Sequence, residues 1–581
     1  MRVSGLIMAA SMAAGRLSMR TQARLPKCLR RLIPPSQPCR AAGGTVATRP
    51  EAAKGVQRPD LQVVRKSFHA LQEERRERAE RSVLISCSPK VSEKKLLKFL
   101  SQHGNVSNCF FYQSYGVYAV VEFASKNSIV GLHESTSLPS MHHEVSVPFK
   151  SRLLTLKTNG SADQSGGSNS VEFHPQVAMP INELLQQLSA EESVDQQLSR
   201  LTSALQLTEE NVSLRFLVCS LVKDVAAAFF PKCTVHPFGS SVNGFGKLGC
   251  DLDMFLDLDA ASGNPKRKPS GFYLEYQMKR EASERAVTQS VLSVVAESVE
   301  QFSPGCVGIQ KILNARCPLV RFSHQPSGFQ CDLTANNRVA MKSSELLYVF
   351  SSVDERVRGL VLAVRYWARV HGVTSSVAGA WISNFSLTAL ILFFLQTRGP
   401  PILPTVDQLR DLADQSDQCC VEGNDCTIVS DLSRIRLQTN TESLERLLQE
   451  FFEFYAAFPF NHMSINLRKG KEQNKPESTP LHIQNPFEAT LNVSKNVNAA
   501  QLDRFVALCR ESAWFLQQEA GSKPATVPTG GSAQAWGLAA LFLPSLAQAA
   551  GVKGRRKKKR EPASERVKSL LQSISTSHSS Q

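Results

Sequence analysis

The chain predicts an α+β protein of several domains, and three observations carry that prediction. From residue 82 onward, strand-like and helix-like stretches follow one another in the order β-α-β-β-α-β, a ferredoxin-like unit. After a Gly/Ser/Asn/Asp-rich linker at 159–170, a second set of strands follows in which acids interrupt otherwise apolar runs. Beyond residue 345 the pattern is helical, with apolar residues recurring at helical spacing.

The length, 581 residues, suits two to four domains, and an apolar share of 42% is ordinary for folded protein. The net charge of +16 lies at the ends. Residues 1–50 carry eight Arg and one Lys with no acid, residues 551–560 carry seven basic residues with no acid, and together these equal the whole excess. The body between them is near neutral, so a nucleic-acid groove there depends on local arrangement and not on bulk charge. The acid-free, Arg-, Ala- and Ser-rich stretch 1–49 has the composition of a mitochondrial transit peptide, and 1–60 reads as a leader that directs the chain to the matrix. The apolar runs 6–14 and 387–395 are too short to span a membrane. Fourteen cysteines lack paired spacing and read as reduced thiols.

In chain order, residues 50–80 hold a Glu/Arg run that reads as a solvated helix. The unit at 62–155 places strands at 83–87, 106–113, 116–123 and 145–153, with helices at 91–103 and 125–133. It resembles an RNA-recognition motif, but the base-stacking positions fall on Leu84, Tyr118 and Val120, and only one is aromatic. That sheet face suits packing against protein, a second copy of the chain included. After a linker at 156–180, helices are expected at 180–205 and 208–230. The second has Thr208 as N-cap and a core stripe of Leu214, Leu217, Val218, Leu221 and Val225.

Next comes the stretch with chemistry in it. A strand at 234–238 ends in the turn Gly239-Ser240, and a strand at 251–258 opens with Asp251 and Asp253. Side chains two apart share a strand face, so these carboxylates converge. Carboxylate pairs favour Mg²⁺ or Mn²⁺, and a Gly/Ser turn can offer N–H groups to phosphates. A strand at 329–333 carries Asp332; beside the first pair it completes a cluster of three acids. In the helix at 356–370, Arg365 and Arg369 are four apart and can reach one polyphosphate. Ser383-Asn384-Phe385-Ser386 opens a strongly apolar helix, 442–458 and 499–518 are further helices, and 521–581 reads as a disordered basic tail.

On the residues Gly239-Ser240, Asp251-x-Asp253 and Asp332, the chain resembles the nucleotidyltransferase superfamily of DNA polymerase β type. Arg365 to Arg369, Ser383 to Leu387, Asn485-Pro486-Phe487 and Asn492-Val493-Ser494 narrow the resemblance to the terminal nucleotidyltransferases that act as poly(A) polymerases and uridylyltransferases. The resemblance implies a palm at 181–345, a helical poly(A)-polymerase-associated domain at 346–520, and adenylate transfer from ATP to an RNA 3′ end by a two-metal mechanism. It implies Asp251, Asp253 and Asp332 as catalytic metal ligands for Mg²⁺ or Mn²⁺. For the nucleotide it implies Gly239 and Ser240 on the phosphates, Asn337 on the ribose, Arg365 and Arg369 on the triphosphate, and Ser383 with Phe385 at the base. It also implies a homodimer through the RRM-like domain. Relatives that prefer uracil often have a histidine where this chain has Leu491, which tilts the reading toward ATP; a uridylyltransferase, or an inactive RNA-binding scaffold, are the alternatives.

Overall fold

The computed structural model describes residues 66–139, 149–157, 171–258, 283–335, 337–375, 377, 379–519 and 535–543. The leader, most of the 156–180 linker and the basic run at 555–560 lie outside them.

The first helix, α1 (Phe68–Glu80), is capped by Ser67, whose side chain accepts from Ala70 N. The sequence reads it as a solvated helix, yet its charges bind it to neighbours. Arg78 pairs with the buried Glu122 at 3.0 Å, Arg75 with Glu209 at 2.8 Å, and Glu80 with Lys223 at 2.7 Å. The RRM-like unit follows as β1 (Ser82–Cys87), α2 (Glu93–Leu100), β2 (Val106–Gln113), β3 (Val117–Phe123), α3 (Asn127–Ser135) and β4 (Leu153–Thr155), in sheet order β2-β3-β1-β4. The order is the expected one, but β4 is three residues long and runs parallel to β1. Of the strand expected at 145–153, residues 145–148 lie outside the described residues, and of 149–153 only Leu153 is in a strand.

One face of this sheet, with Val83, Ile85, Val121 and Phe123, packs on Leu96 and Leu100 of α2 and on Ile129 and Leu132 of α3. The other face is not free for a second copy of the chain. Leu84, Phe110, Tyr112 and Val120 are 5% exposed or less and share one core with Leu214, Leu217, Leu221 and Phe329 of the same chain. The Tyr112 hydroxyl donates to Pro326 O at 2.9 Å. Arg152, also buried, ties the units further, donating to Asp224 at 2.8 Å, Ser220 Oγ at 2.6 Å and Ala79 O at 2.6 Å. The depleted stacking positions were read correctly as protein-facing, but the protein they face is their own palm.

Helices α4 (Ile181–Ser189) and α5 (Val194–Leu205) replace the single helix expected at 180–205. Ser193 supplies the break as N-cap of α5, its side chain accepting from Gln196 N. Helix α6 (Glu209–Ala226) starts at Thr208, which accepts from Asn211 N at 3.2 Å. The palm sheet consists of β5 (Thr234–Phe238), β6 (Leu252–Asp257), β7 (Cys306–Ile312), β8 (Leu319–His324) and β9 (Phe329–Thr334), in order β5-β6-β9-β8-β7. Only β6 and β9 pair in parallel. Its inner face, with Leu252, Met254, Val320, Phe322, Cys331 and Leu333, is buried under α6 and α7 (Glu284–Phe302).

Helices α8 (Arg338–Val353) and α9 (Glu355–Val370) lead into the helical part, which continues with α10 (Asn384–Gln396), α11 (Val406–Asp411), a hairpin of β10 (Cys420–Val421) and β11 (Asn424–Asp425), and α12 (Leu444–Ala457). A small sheet of β12 (Met463–Asn466), β13 (Lys471–Asn474) and β14 (Ile483–Gln484) and the helix α13 (Ala499–Glu519) follow. Every residue of α10 from Ser386 to Gln396 is buried, so it is the axis of this core.

Beyond α13, the stretch read from sequence as tail contains a docked helix, α14 (Gly537–Leu541). Leu538, Ala539, Leu541 and Phe542 are 0% exposed. The Phe542 ring lies 4.8 Å from Tyr366 on α9, Leu538 N donates to Gln197 Oε1 at 2.6 Å, and Trp536 Nε1 donates to Ser189 O at 3.1 Å. Nine residues are too few for a clear period, so from sequence the apolar-leaning run 534–552 reads only as a marginal helix or tail. Phe542→Ala is expected to cost about 3–5 kcal/mol through loss of burial and the cavity left behind, lowering the midpoint of a thermal melt; an unchanged midpoint would show the segment undocked.

Candidate active site

Two strands running the same way bring the acids together. The parallel register of β6 and β9 sets Asp253 beside Asp332. Strand alternation sends both to the sheet face opposite the α6/α7 core; Asp251 lies just before β6, where the Asp332 charge acts on it. On the other flank of β6, Phe238 pairs with Asp253, so the 3-10 turn Gly239–Ser241 begins at the carboxylate. Gly239 has φ +62, and a Cβ there would sit 2.8 Å from Asp253 Oδ2. Neither the backbone nor the space admits a side chain.

A buried guanidinium fastens this corner. Arg215 on α6 is 0% exposed. Its Nη1 donates to Asp251 O at 2.9 Å and Ser241 Oγ at 3.0 Å, its Nη2 to Cys250 O at 2.7 Å, and its Nε to Asn211 Oδ1 at 2.8 Å. The group lies over the Phe329 ring, 4.5 Å from its centroid. The sequence reading passed over Arg215, although an arginine between Leu214 and Phe216 in a core helix is a charge that needs a purpose.

The carboxylates are costly where they stand. Burial first, then the Asp332 and Asp251 charges, push the Asp253 carboxyl up to about 7. Burial and the Asp332 charge raise Asp251 as well. Arg215 and Arg321 act in the opposite sense on both. Asp332 itself is held by Arg321 of β8, its register partner, through Nε to Oδ1 at 2.7 Å and Nη2 to Oδ2 at 2.6 Å. Burial and neighbouring negative charge raise Asp251 and Asp253, and acids in that state suit a divalent cation. As they stand, no three acid, His or Cys side chains among the described residues are gathered closely enough to enclose one.

Cations collect on the β5 side. Lys247, in the loop between the turn and β6, has its pKa lowered by burial first and then by the charges of Arg369 and Arg365. Arg365 is held by Phe245 O, to which its Nη1 donates at 2.9 Å, while Arg369 is exposed. Lys247 was not singled out from sequence, because the glycines around it read only as a loop.

The remaining expected nucleotide residues fare differently. The Gly239 N–H is taken by Ser344 Oγ of α8 at 2.9 Å, and Ser240 Oγ donates to Cys250 Sγ at 3.4 Å. The turn's first N–H is thus engaged by α8. Asn337 is the N-cap residue of α8 without making a side-chain cap bond. Ser383 caps α10, its Oγ accepting from Ser386 N at 3.0 Å. Phe385 lies in a cleft against Leu346, Leu347 and Phe350 of α8 and against Pro486, two turns or less from Ser344. Asn485 accepts from Phe487 N at 2.9 Å and Glu488 N at 3.0 Å, the bonds a carboxylate would also make there.

Because the folded-state pKa of Asp253 is raised, its protonated form contributes stability that is present below the unfolded value near 3.9 and is lost as pH rises through about 7. With a chelator present, the melting midpoint of the native chain is expected to fall between pH 5 and 7 by more than that of Asp253→Asn. Equal pH profiles would show that Asp253 ionises freely.

Residues 194–352 match the family model described as the central palm domain of mitochondrial-like poly(A) RNA polymerase, and residues 67–137 match the RL domain. The chain is 53% identical to the mouse mitochondrial poly(A) RNA polymerase over 95% of this chain and 93% of the relative. To the human protein of the same name it is 55% identical, over 88% and 87%. It superposes on the crystal structure of mtPAP in complex with ATPγS with a TM-score of 0.78 at 51% identity, covering 82% of this chain and all of that one. Relatives this similar over nearly their whole length, on a palm with this acid cluster, establish that the chain belongs to the mitochondrial poly(A) RNA polymerase family and is a polynucleotide adenylyltransferase.

Proposed function

We propose that Asp251, Asp253 and Asp332 hold Mg²⁺ or Mn²⁺ and that the chain adds AMP from ATP to RNA 3′ ends in the mitochondrial matrix. The observation that carries the site assignment is the β6–β9 register, which sets Asp253, its proton affinity raised, beside Asp332. When bound, the divalent cations lower the pKa of the attacking hydroxyl and neutralise charge on the triphosphate.

This chain's own residues do the rest by position and charge. Lys247, Arg365 and Arg369 receive the triphosphate, and the pKa of Lys247, lowered by burial first and then by the Arg369 and Arg365 charges, is one that a bound anion raises. Arginine at 365 and 369 offers planar forks, which suit phosphate oxygens. Phe385 offers a ring face to the base, while Asn337 stands at the start of α8 and Ser383 at the start of α10. Ser344, by holding the Gly239 N–H, and Arg215, by holding the carbonyls of Cys250 and Asp251, keep the turn and the acids from drifting apart.

The acid-free leader supports the matrix address. No helix among the described residues is long and apolar enough to cross a membrane. Pairing of two copies through the RRM-like domain has to use its helices or edges, since its sheet face is buried within the chain.

Asp253→Ala and Asp332→Ala are each expected to lower adenylate addition to an oligoribonucleotide by at least about a hundredfold, the scale of losing one preorganised electrostatic stabiliser, with circular dichroism unchanged. Normal tail synthesis by either variant would sink the assignment. Offered each nucleotide separately, the chain is expected to extend the primer best with ATP; preference for UTP would favour the uridylyltransferase reading.

A further inference from the structure

The cation nearest Asp332 stands apart from the triphosphate cluster. Arg321 projects from β8 directly opposite Asp332 and engages both carboxylate oxygens, at 2.7 and 2.6 Å. Such a fork is the strongest form of side-chain ion pair. It occupies the oxygens that a metal ligand would present, and it coincides with the absence, among the described residues, of three acids gathered closely enough to enclose an ion. The Arg321 side chain is 46% exposed, so it can leave Asp332 without disturbing the core.

Two constraints say where it goes. The first is charge: divalent cations at three carboxylates take over the neutralisation that Arg321 provides, and then repel it. The second is direction. In-line phosphoryl transfer sets the attacking oxygen opposite the leaving pyrophosphate. Lys247 follows the turn that ends β5 and feels the charges of Arg369 and Arg365, and on our reading of the site this end takes the triphosphate. The RNA 3′ end therefore comes from the other flank, over β9 and β8. On that exposed face Arg321 is followed by Ser323 and Gln330, a register pair two residues further on, whose side chains are bonded at 2.6 Å. Inner-face neighbours Val320, Phe322 and Cys331 are 1% exposed or less, which fixes which side of the sheet is open.

We propose that Arg321 is the primer-positioning residue: it holds Asp332 in the metal-free protein, releases it when a divalent cation binds, and then takes the phosphodiester of the RNA's terminal nucleotide, with Ser323 and Gln330 next along the path. This rests on Asp332 being a metal ligand.

The test uses the full chain and its variants Arg321→Gln, Arg321→Lys and Asp332→Ala. Mn²⁺ binding without nucleotide, followed by electron paramagnetic resonance, is expected to tighten several-fold in Arg321→Gln, because a competing cation is gone. KM for a short oligoadenylate is expected to rise roughly tenfold, the scale of one lost hydrogen bond between charged groups, with KM for ATP unchanged. The slope of log RNA affinity against log salt is expected to shrink by about 0.7, the value for one phosphate on a single strand. Arg321→Lys should recover the salt slope and part of the KM. Unchanged oligoadenylate KM and salt slope in Arg321→Gln would overturn the proposal, whatever Mn²⁺ does. Unchanged Mn²⁺ affinity in Arg321→Gln would overturn the release step. Unchanged Mn²⁺ affinity in Asp332→Ala would instead overturn the metal reading of that acid, so the two failures are told apart.

Discussion

The parallel pairing of β6 with β9 is the constraint on which the rest of the structure depends. It sets Asp253 beside Asp332, and the antiparallel pairing with β5 on the other flank brings the Gly239 turn to the same point. Burial and the Asp332 charge both disfavour the ionised form of Asp253, which opposes folding. The surroundings answer that cost with fixed positive charge. Arg215 lies beneath, held by four hydrogen bonds and an aromatic ring, and Arg321 lies across Asp332. The first is locked in the core and the second reaches solvent, so only the second is able to move.

That difference organises the site into two ends. At the loop that follows β5, Lys247 is buried beside the like charges of Arg369 and Arg365. On the β8 side there is one exposed guanidinium and a polar sheet face. The sheet order β5-β6-β9-β8-β7 keeps the two ends apart, with the acids between them.

The same sheet needs cover on its inner face, and the chain supplies it from both directions. α6 and α7 fill most of it, while the RRM-like sheet joins the same core through Leu84, Phe110, Tyr112 and Val120. A fold that reads nucleic acid elsewhere is used here as packing, and Arg152 and Tyr112 provide the directional bonds that apolar contact lacks. The docked segment around Phe542 does a comparable job behind α9, whose outer turns carry Arg365 and Arg369.

The chemistry of this protein was legible in its sequence because local rules govern it. Strand alternation pairs Asp251 with Asp253, a helical period pairs Arg365 with Arg369, and capping explains Thr208 and Ser383; each acts within a few residues. Asp332 could be nominated as an acid in an apolar strand, but only the pairing of strands some eighty residues apart places it beside Asp253. What the tertiary structure alone decided is partnership: that Arg215 serves Asp251, that Arg321 holds Asp332, that Lys247 joins the arginines, that Ser344 takes the Gly239 N–H, and that the RRM-like sheet is buried in its own palm. A sequence records which groups need a partner, since a buried charge or a bare apolar face is visible residue by residue. Which partner each one finds depends on contacts between distant segments, and no local period encodes those.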